Sequence, residues 1–239
     1  MKSQYIKAVL FVVFVITVCI AAVKNSRLDG VRVDSENSSR RKSIIILDAG
    51  HGGEDGGAVA ADGTNEKDIN LAITKKTAAL FEIFGVEYIP VRTEDISVGD
   101  NSLTTLRERK KSDIRSREKL VKSTPNAIFF SIHQNMYDIA KYKGTQVFYG
   151  SQNPESELLA QEIQNSVKKR LQDDNTRQIK PSGDSIYLLY KAKAPSVMIE
   201  CGFLSNPEEL ALLKDEKYQK QMSYSVFCGL ISYLNNCIT

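Results

Sequence analysis

Short apolar runs without polar alternation recur along this chain, at Ser43–Asp48 (SIIILD), Ala127–Ile132 (AIFFSI) and Ser196–Glu200 (SVMIE). Runs of that kind suit strands buried on both faces, as in a parallel sheet covered by helices on each side. The stretches between them carry helical spacing. Lys67–Phe84 places Ile69, Ile73, Leu80, Phe81 and Phe84 near one face and ends at Gly85, a natural C-terminal cap. Val86–Val91 and Thr145–Tyr149 read as further strands, and Pro154–Leu171, Pro207–Leu213 and Tyr218–Leu234 as helices. Residues 92–112 are polar and read as a surface loop, with a helix over about 113–123. The alternation predicts an α/β fold: one domain over 44–239, with a mostly parallel central sheet flanked by helices.

Two segments precede that body. Residues 8–23 (AVLFVVFVITVCIAAV) hold no charge and follow Lys2 and Lys7. Sixteen helical residues span about 24 Å, short of the ~30 Å hydrocarbon core, which suits a signal peptide or a short signal anchor over 1–24. A lipidated Cys19 is the weaker reading, because Val18 is large and the apolar run continues past it. Residues 25–43 are rich in serine and charge and read as a polar linker. The body is thus expected outside the cytoplasmic membrane, anchored or secreted.

Charge removes one class of partner. The formal net charge is +3, and the three lysines among residues 1–24 account for all of it, leaving 25–239 neutral. A neutral body lacks the basic footprint that nucleic acid requires. Cys19, Cys201, Cys228 and Cys237 have no metal-type spacing, so no cysteine zinc site and no disulfide framework is expected, although one pair among the last three stays open.

The chain has only two histidines. His51 lies just past the first strand, in Asp48-Ala49-Gly50-His51-Gly52-Gly53, and His133 directly follows the third, in Ser131-Ile132-His133-Gln134-Asn135. Glu200 ends the Ser196–Glu200 strand. In open α/β sheets, ligands bind beyond the carboxyl ends of strands, and all three residues fall there. Glu66 begins the first helix, and the intervening loop can return it to the same edge. Two imidazoles and a carboxylate are a usual protein ligand set for catalytic zinc, while a second carboxylate can shuttle the proton of an activated water. Glu66 and Glu200 supply one carboxylate for each role. Taken singly, each residue has a plainer reading: a surface histidine, a first-turn acid favoured by the helix dipole, half of a buried ion pair.

The motifs in sequence order are more specific. Leu47-Asp48-Ala49-Gly50-His51-Gly52-Gly53, Asp55-Gly56-Gly57-Ala58, Gly63 with Glu66-Lys67, Val91-Arg92-Thr93 with Asp95, Ser131-Ile132-His133-x-Asn135, Gly144-Thr145-x-Val147-x-Tyr149 and Glu200-x-Gly202-Phe203-Leu204-Ser205-Asn206 follow one another. Over roughly 44–234 this resembles the zinc-dependent N-acetylmuramoyl-L-alanine amidases of the amidase type 3 family, and within it the CwlD group of endospore formers. The resemblance implies one Zn2+ per chain on His51, Glu66 and His133, and Glu200 as the catalytic glutamate. It implies hydrolysis of the amide joining the lactyl group of N-acetylmuramic acid to L-alanine. It also implies a place in spore cortex maturation, where peptide-free muramic acid goes on to muramic-δ-lactam, and in germination. The expected site of action is the space between the membranes of a developing spore. Expected partners are peptidoglycan, the membrane through residues 1–24 and an activating protein; nucleic acid is not among them.

The chain departs from the family's Leu-x-x-Arg-x-x-x-Ala-Asn pattern, carrying Ile114, Arg117, Val121 and Lys122 at those places, and has Cys201 where threonine is common. Rival readings are a zinc peptidase cutting within the stem peptide, an inactive wall-binding module, and a metal-free hydrolase with His133 as base. Glu200 argues against the inactive module, since binding a metal does not need it. No serine or cysteine stands out as a nucleophile for the metal-free version.

Overall fold

The computed structural model of the protein describes residues 42–236; the targeting segment and nearly all of the linker, like Cys237, lie outside the described residues. The chain runs β1 (Ile44–Ala49), α1 (Glu66–Phe84), β2 (Tyr88–Pro90), α2 (Leu106–Ser123), β3 (Ala127–Asn135), β4 (Gln146–Tyr149), α3 (Glu155–Arg170), β5 (Lys180–Pro181), α4 (Tyr187–Lys191), β6 (Ser196–Phe203), α5 (Pro207–Lys214) and α6 (Glu216–Asn236). The strands form one sheet in the order β2-β1-β3-β6-β4-β5. β2, β1, β3 and β6 are parallel, β4 runs antiparallel to β6, and β5 is parallel to β4. The expected α/β domain with a mostly parallel sheet is what the chain forms.

Strand periodicity sends alternate side chains into two cores. Ile45, Leu47, Phe130, Ile132, Val147 and Ile199 face one layer, built from α1, α3 and α6 with Ile73, Phe81, Ile163, Val226 and Leu230. Ile46 and Phe129 face the other, under Val121 of α2 and Leu189 of α4. Phe81 is fully buried, with its ring edge-to-face on Tyr88 and Phe130, and such a side chain contributes about 2–3 kcal/mol through burial. Gly85 caps α1 in the left-handed region (φ 67°), and the Val86 N–H donates back to the Phe81 carbonyl. No helix among the described residues is long and apolar enough to cross a membrane.

Several boundaries differ from the expectation. α2 begins at Leu106, so part of the supposed loop 92–112 is helical. Its first turn is fixed by a capping box: Thr105 Oγ1 accepts from the Glu108 N–H while the Glu108 carboxylate accepts from the Thr105 N–H. That helix buries little besides Arg117 and Val121, so it has no apolar stripe to announce it. β3 continues through His133 to Asn135 and β6 through Glu200 to Phe203, so both residues lie within strands rather than at or past their ends. β5 and α4 are two and five residues long, too short to carry a period. Among the described residues, Cys201 and Cys228 are both free thiols.

Candidate metal centre

Three elements deliver the predicted ligands to the carboxyl edge of the sheet. His51 follows β1 in a tight turn and takes a left-handed backbone (φ 63°), an unfavourable conformation for a side chain that the surroundings must enforce. Two buried arginines enforce it. Arg92 donates from Nε to the Ala49 carbonyl (2.9 Å), from Nη2 to the Gly50 and Lys67 carbonyls (3.0 and 2.9 Å) and from Nη1 to the Glu94 carbonyl (3.0 Å). Arg117 donates to the His51 carbonyl (2.9 Å) and is ion-paired with Asp48 and with Asp113 (2.6 Å). Gly50 permits a close approach that no side chain would: a Cβ there would lie 2.2 Å from the His133 ring.

Glu66 opens α1, and the 51–65 loop folds back to bring it beside the histidines, as expected. The Glu66 N–H donates to the Ala58 carbonyl, tying the helix start to that loop. Glu66 Oε2 lies 3.1 Å from His51 Nε2, and Oε1 lies 2.9 Å from His133 Nδ1. The remaining acceptor capacity is taken by the backbone N–H groups of Ala58 (2.9 Å) and Gln134 (3.1 Å) and by Asn70 Nδ2 (3.1 Å). Candidate ligand atoms from the three residues all lie within 4.8 Å of one another. Tetrahedral zinc with bonds of about 2.0–2.1 Å needs donors about 3.3 Å apart. The fit extends outward, because Asp55 Oδ2 sits 2.9 Å from His51 Nδ1, the carboxylate support that orients metal-binding imidazoles.

The electrostatics match an anionic cradle. Burial opposes charge on Glu66, yet hydrogen bonds from His133 and His51 outweigh it and hold the carboxyl far below its ordinary range. Burial likewise opposes charge on His51, but the hydrogen bonds to Asp55 and Glu66 prevail and raise it to about 9.

Glu200 stands beside the cradle under different conditions. Its Cα pairs with that of His133 across β3 and β6, so the two side chains share one face of the sheet. Its Oε2 is buried without a hydrogen-bond partner, and burial pushes the carboxyl up to about 7. A carboxyl poised near neutrality can both take and return a proton. Cys201, next in the chain, is fully buried, and burial pushes its thiol up, which leaves it unreactive.

A cavity of about 320 Å³ opens over His51 and His133, walled by Ile114, Tyr187 and Met198. A cavity of about 360 Å³ lies at the far end of the strands, against Ala127, Phe129 and Pro195, and includes neither histidine. The structure thus gathers all four predicted residues at one place. Sequence reasoning assigned no role to Asp55, Arg92, Arg117, Asn70 or Gln134. Asp55 and Arg92 stood inside the quoted motifs and Arg117 in the altered helix pattern, which was the available signal.

Comparison with known proteins identifies the family. The family model described as N-acetylmuramoyl-L-alanine amidase matches residues 45–232. A germination-specific N-acetylmuramoyl-L-alanine amidase of Bacillus subtilis is 34% identical over 190 residues, which cover 80% of this chain and 79% of that protein. Among solved structures, the CwlD amidase of Clostridioides difficile, in complex with the GerS lipoprotein, superposes with a TM-score of 0.78 at 41% identity, covering 81% of this chain and 99% of that one. The N-acetylmuramoyl-L-alanine amidase AmiC2 of Nostoc punctiforme gives a TM-score of 0.64 at 29% identity, covering 82% and 98%.

Proposed function

The chain belongs to the N-acetylmuramoyl-L-alanine amidase family, and on that premise we propose that it cuts the lactyl–L-alanine amide of peptidoglycan by a zinc-assisted hydrolysis in which Glu200 moves the proton. The observation that carries this reading is the placement of Glu200 in register with His133, one strand away from a complete two-histidine, one-carboxylate cradle. His51, Glu66 and His133 would hold one zinc ion per chain. Such an ion supplies Lewis acidity, lowering the pKa of a water toward about 7 and polarising a carbonyl.

The protein's own residues do the rest. Glu200, anionic after substrate and metal are in place, accepts a proton from the attacking water. The same carboxyl then delivers that proton to the departing alanine nitrogen, and its elevated pKa makes the return favourable. Glu66 cannot share this duty, because five contacts hold it as an anion. Arg92 and Arg117 keep the His51 turn in shape throughout.

The wider setting follows from the relatives. A germination-specific amidase and a CwlD amidase held by a lipoprotein support a role in the spore wall, with an activating protein as partner. The product would be peptide-free muramic acid, the precursor for muramic-δ-lactam. Export and membrane attachment through residues 1–24 complete the proposal.

Mass spectrometry of fragments released from peptidoglycan by the zinc-loaded full chain tests it. Intact stem peptides beginning at L-alanine, released by the parent and not by Glu200→Gln, are the expected result. Fragments cut inside the stem would move the assignment to peptidase, and no release with full zinc occupancy would favour a wall-binding module.

A further inference from the structure

A second hollow opens on the other side of Glu200, and nothing in the reaction above uses it. Alternate residues of a strand share a face, and residues paired across strands share it too. The register pairs His133 with Glu200 and Glu200 with Gln146; two residues back along β6 it pairs Ser131 with Met198 and Met198 with Phe148. His133, Glu200 and Gln146 therefore form a row across three strands on one face of the sheet. The cavity over the histidines takes in His133 and Met198. A cavity of about 240 Å³ takes in Gln146 and Phe148. Glu200 stands between the two.

The hollows differ in chemistry. In the first, the cations are already paired: Lys110 with Asp55 (2.8 Å), and Arg117 with Asp48 and Asp113. The second is lined by Arg177 and Lys180 and by no carboxylate, and among the described residues neither cation is ion-paired. Glu209, whose charge reaches Arg177, is buried behind the wall and committed to the N–H groups of Gly144 and Phe203 (2.8 Å each).

Arg177 is held ready. Nε donates to the Lys143 carbonyl (2.7 Å), Nη1 donates to Gln146 Oε1 (3.0 Å), and the guanidinium lies 4.4 Å from the Phe203 ring centroid. These contacts fix the plane of the group and leave Nη2 outside them. An arginine fixed in this way binds a carboxylate with little ordering left to do. Tyr137 and Tyr142, edge-to-face at 5.3 Å, add an aromatic wall.

We propose that this hollow is the stem-peptide side of the active site, where Arg177, assisted by Lys180, binds a carboxylate of the peptide that follows the cut amide. The inference rests on the amidase reading and adds to it the direction in which substrate lies across Glu200. In peptidoglycan the residue after L-alanine is a glutamate joined through its side-chain carboxyl, which leaves its α-carboxylate free. That group lies two residues from the leaving nitrogen, a reach of about 7 Å. Gln146, which Arg177 touches, is one strand spacing of about 5 Å from Glu200. The sugar then falls on the opposite side, against Ile114, Tyr187 and Met198.

Calorimetric titration of the full chain in detergent, metal-free and zinc-loaded, decides the matter, using L-alanyl-D-glutamate with its side-chain carboxyl blocked as an amide and the same dipeptide with its α-carboxyl also an amide. The acid should bind about tenfold more tightly than the amide. Arg177→Gln should reduce that preference to less than twofold, Arg177→Lys should keep part of it, and Lys180→Gln should weaken it by a smaller factor. Because Lys180 is exposed, its variant carries the test should Arg177→Gln fail to fold. Equal binding of acid and amide, no binding of either, or a preference that survives both substitutions would overturn the subsite. The cleavage position is read separately. Acid preference with cuts elsewhere in the wall would keep the subsite and sink the amidase reading, and intact stems released by a parent without preference would do the reverse.

Discussion

Glu66 and Glu200 are the same residue type at the same edge of the same sheet, and their surroundings drive them in opposite directions. Glu66 has two imidazoles, two backbone N–H groups and an asparagine amide around it, so its negative charge is satisfied before any metal arrives. Glu200 has an oxygen buried with no partner and a carboxyl raised to about 7. A carboxylate that must stay charged needs donors on every side. One that must exchange a proton needs them withheld. The contrast shows that a role can be assigned from what surrounds a group, where composition alone offers two interchangeable acids.

The contrast breaks most directly by exchanging each acid for its amide. Glu200→Gln should lower turnover by about 10³-fold or more while leaving zinc at one per chain, whereas Glu66→Gln should lose both zinc and activity. Elemental analysis beside a turnover assay reads the difference. Equal zinc loss in both variants would mean that Glu200 is a ligand and the division of labour is wrong.

The cradle's half of the contrast rests on fixed charge, and Arg117→Met tests that. Removing Arg117 strands Asp48, fully inside the protein, with Ser131 as its remaining side-chain partner. The loss in unfolding free energy should be about 3–5 kcal/mol by urea denaturation. A loss below about 1 kcal/mol would show that the arginine clamp contributes little.

The other half predicts a pH dependence of stability. A glutamate near 4.5 in the unfolded chain and about 7 when folded favours the fold at low pH. That contribution is complete below about 4.5 and is lost as pH rises through 7. In metal-free protein, the stability of Glu200→Gln relative to the parent should therefore grow by on the order of 2–3 kcal/mol between pH 4.5 and 8. A difference that stays flat with pH would place Glu200 in ordinary solvent.

The smallest effect concerns metal uptake. His51, raised to about 9, is protonated at neutral pH in the metal-free protein and must lose that proton to become a ligand. Zinc affinity should rise about tenfold per pH unit from 6 to 8, read by competition with a chelator. Asp55→Asn should flatten that slope, because it removes one source of the elevated pKa, and weaken binding about 10–100-fold.

The sequence exposed the parts of this molecule that repeat or stand out. β1, β3 and β6 are apolar runs, and the two histidines and Glu200 sit at or just past the ends of those runs, so the candidate site could be located from the sequence alone. The first two turns of α2 escaped because a capping box starts them and they bury no apolar residue. The direction of β4 left no trace, since a strand's side chains alternate alike whichever way it runs. Arg92 and Arg117 escaped for a third reason: most of their partners lie 25 to 69 residues away and are backbone carbonyls, which carry no residue identity.

That last feature bears on how the chain can drift. All four hydrogen bonds from Arg92 end on main-chain oxygens, so the clamp itself asks nothing of the side chains at Ala49, Lys67 and Glu94, while Gly50 is held to glycine by the His133 ring. Substitutions at Glu94 can accumulate without loosening the turn beneath His51. Arg92 itself has no substitute, because no other side chain offers so many donors in one rigid plane. The tolerance of this site to change is therefore lopsided, with freedom at an exposed gripped position such as Glu94 and almost none at the residue that grips it.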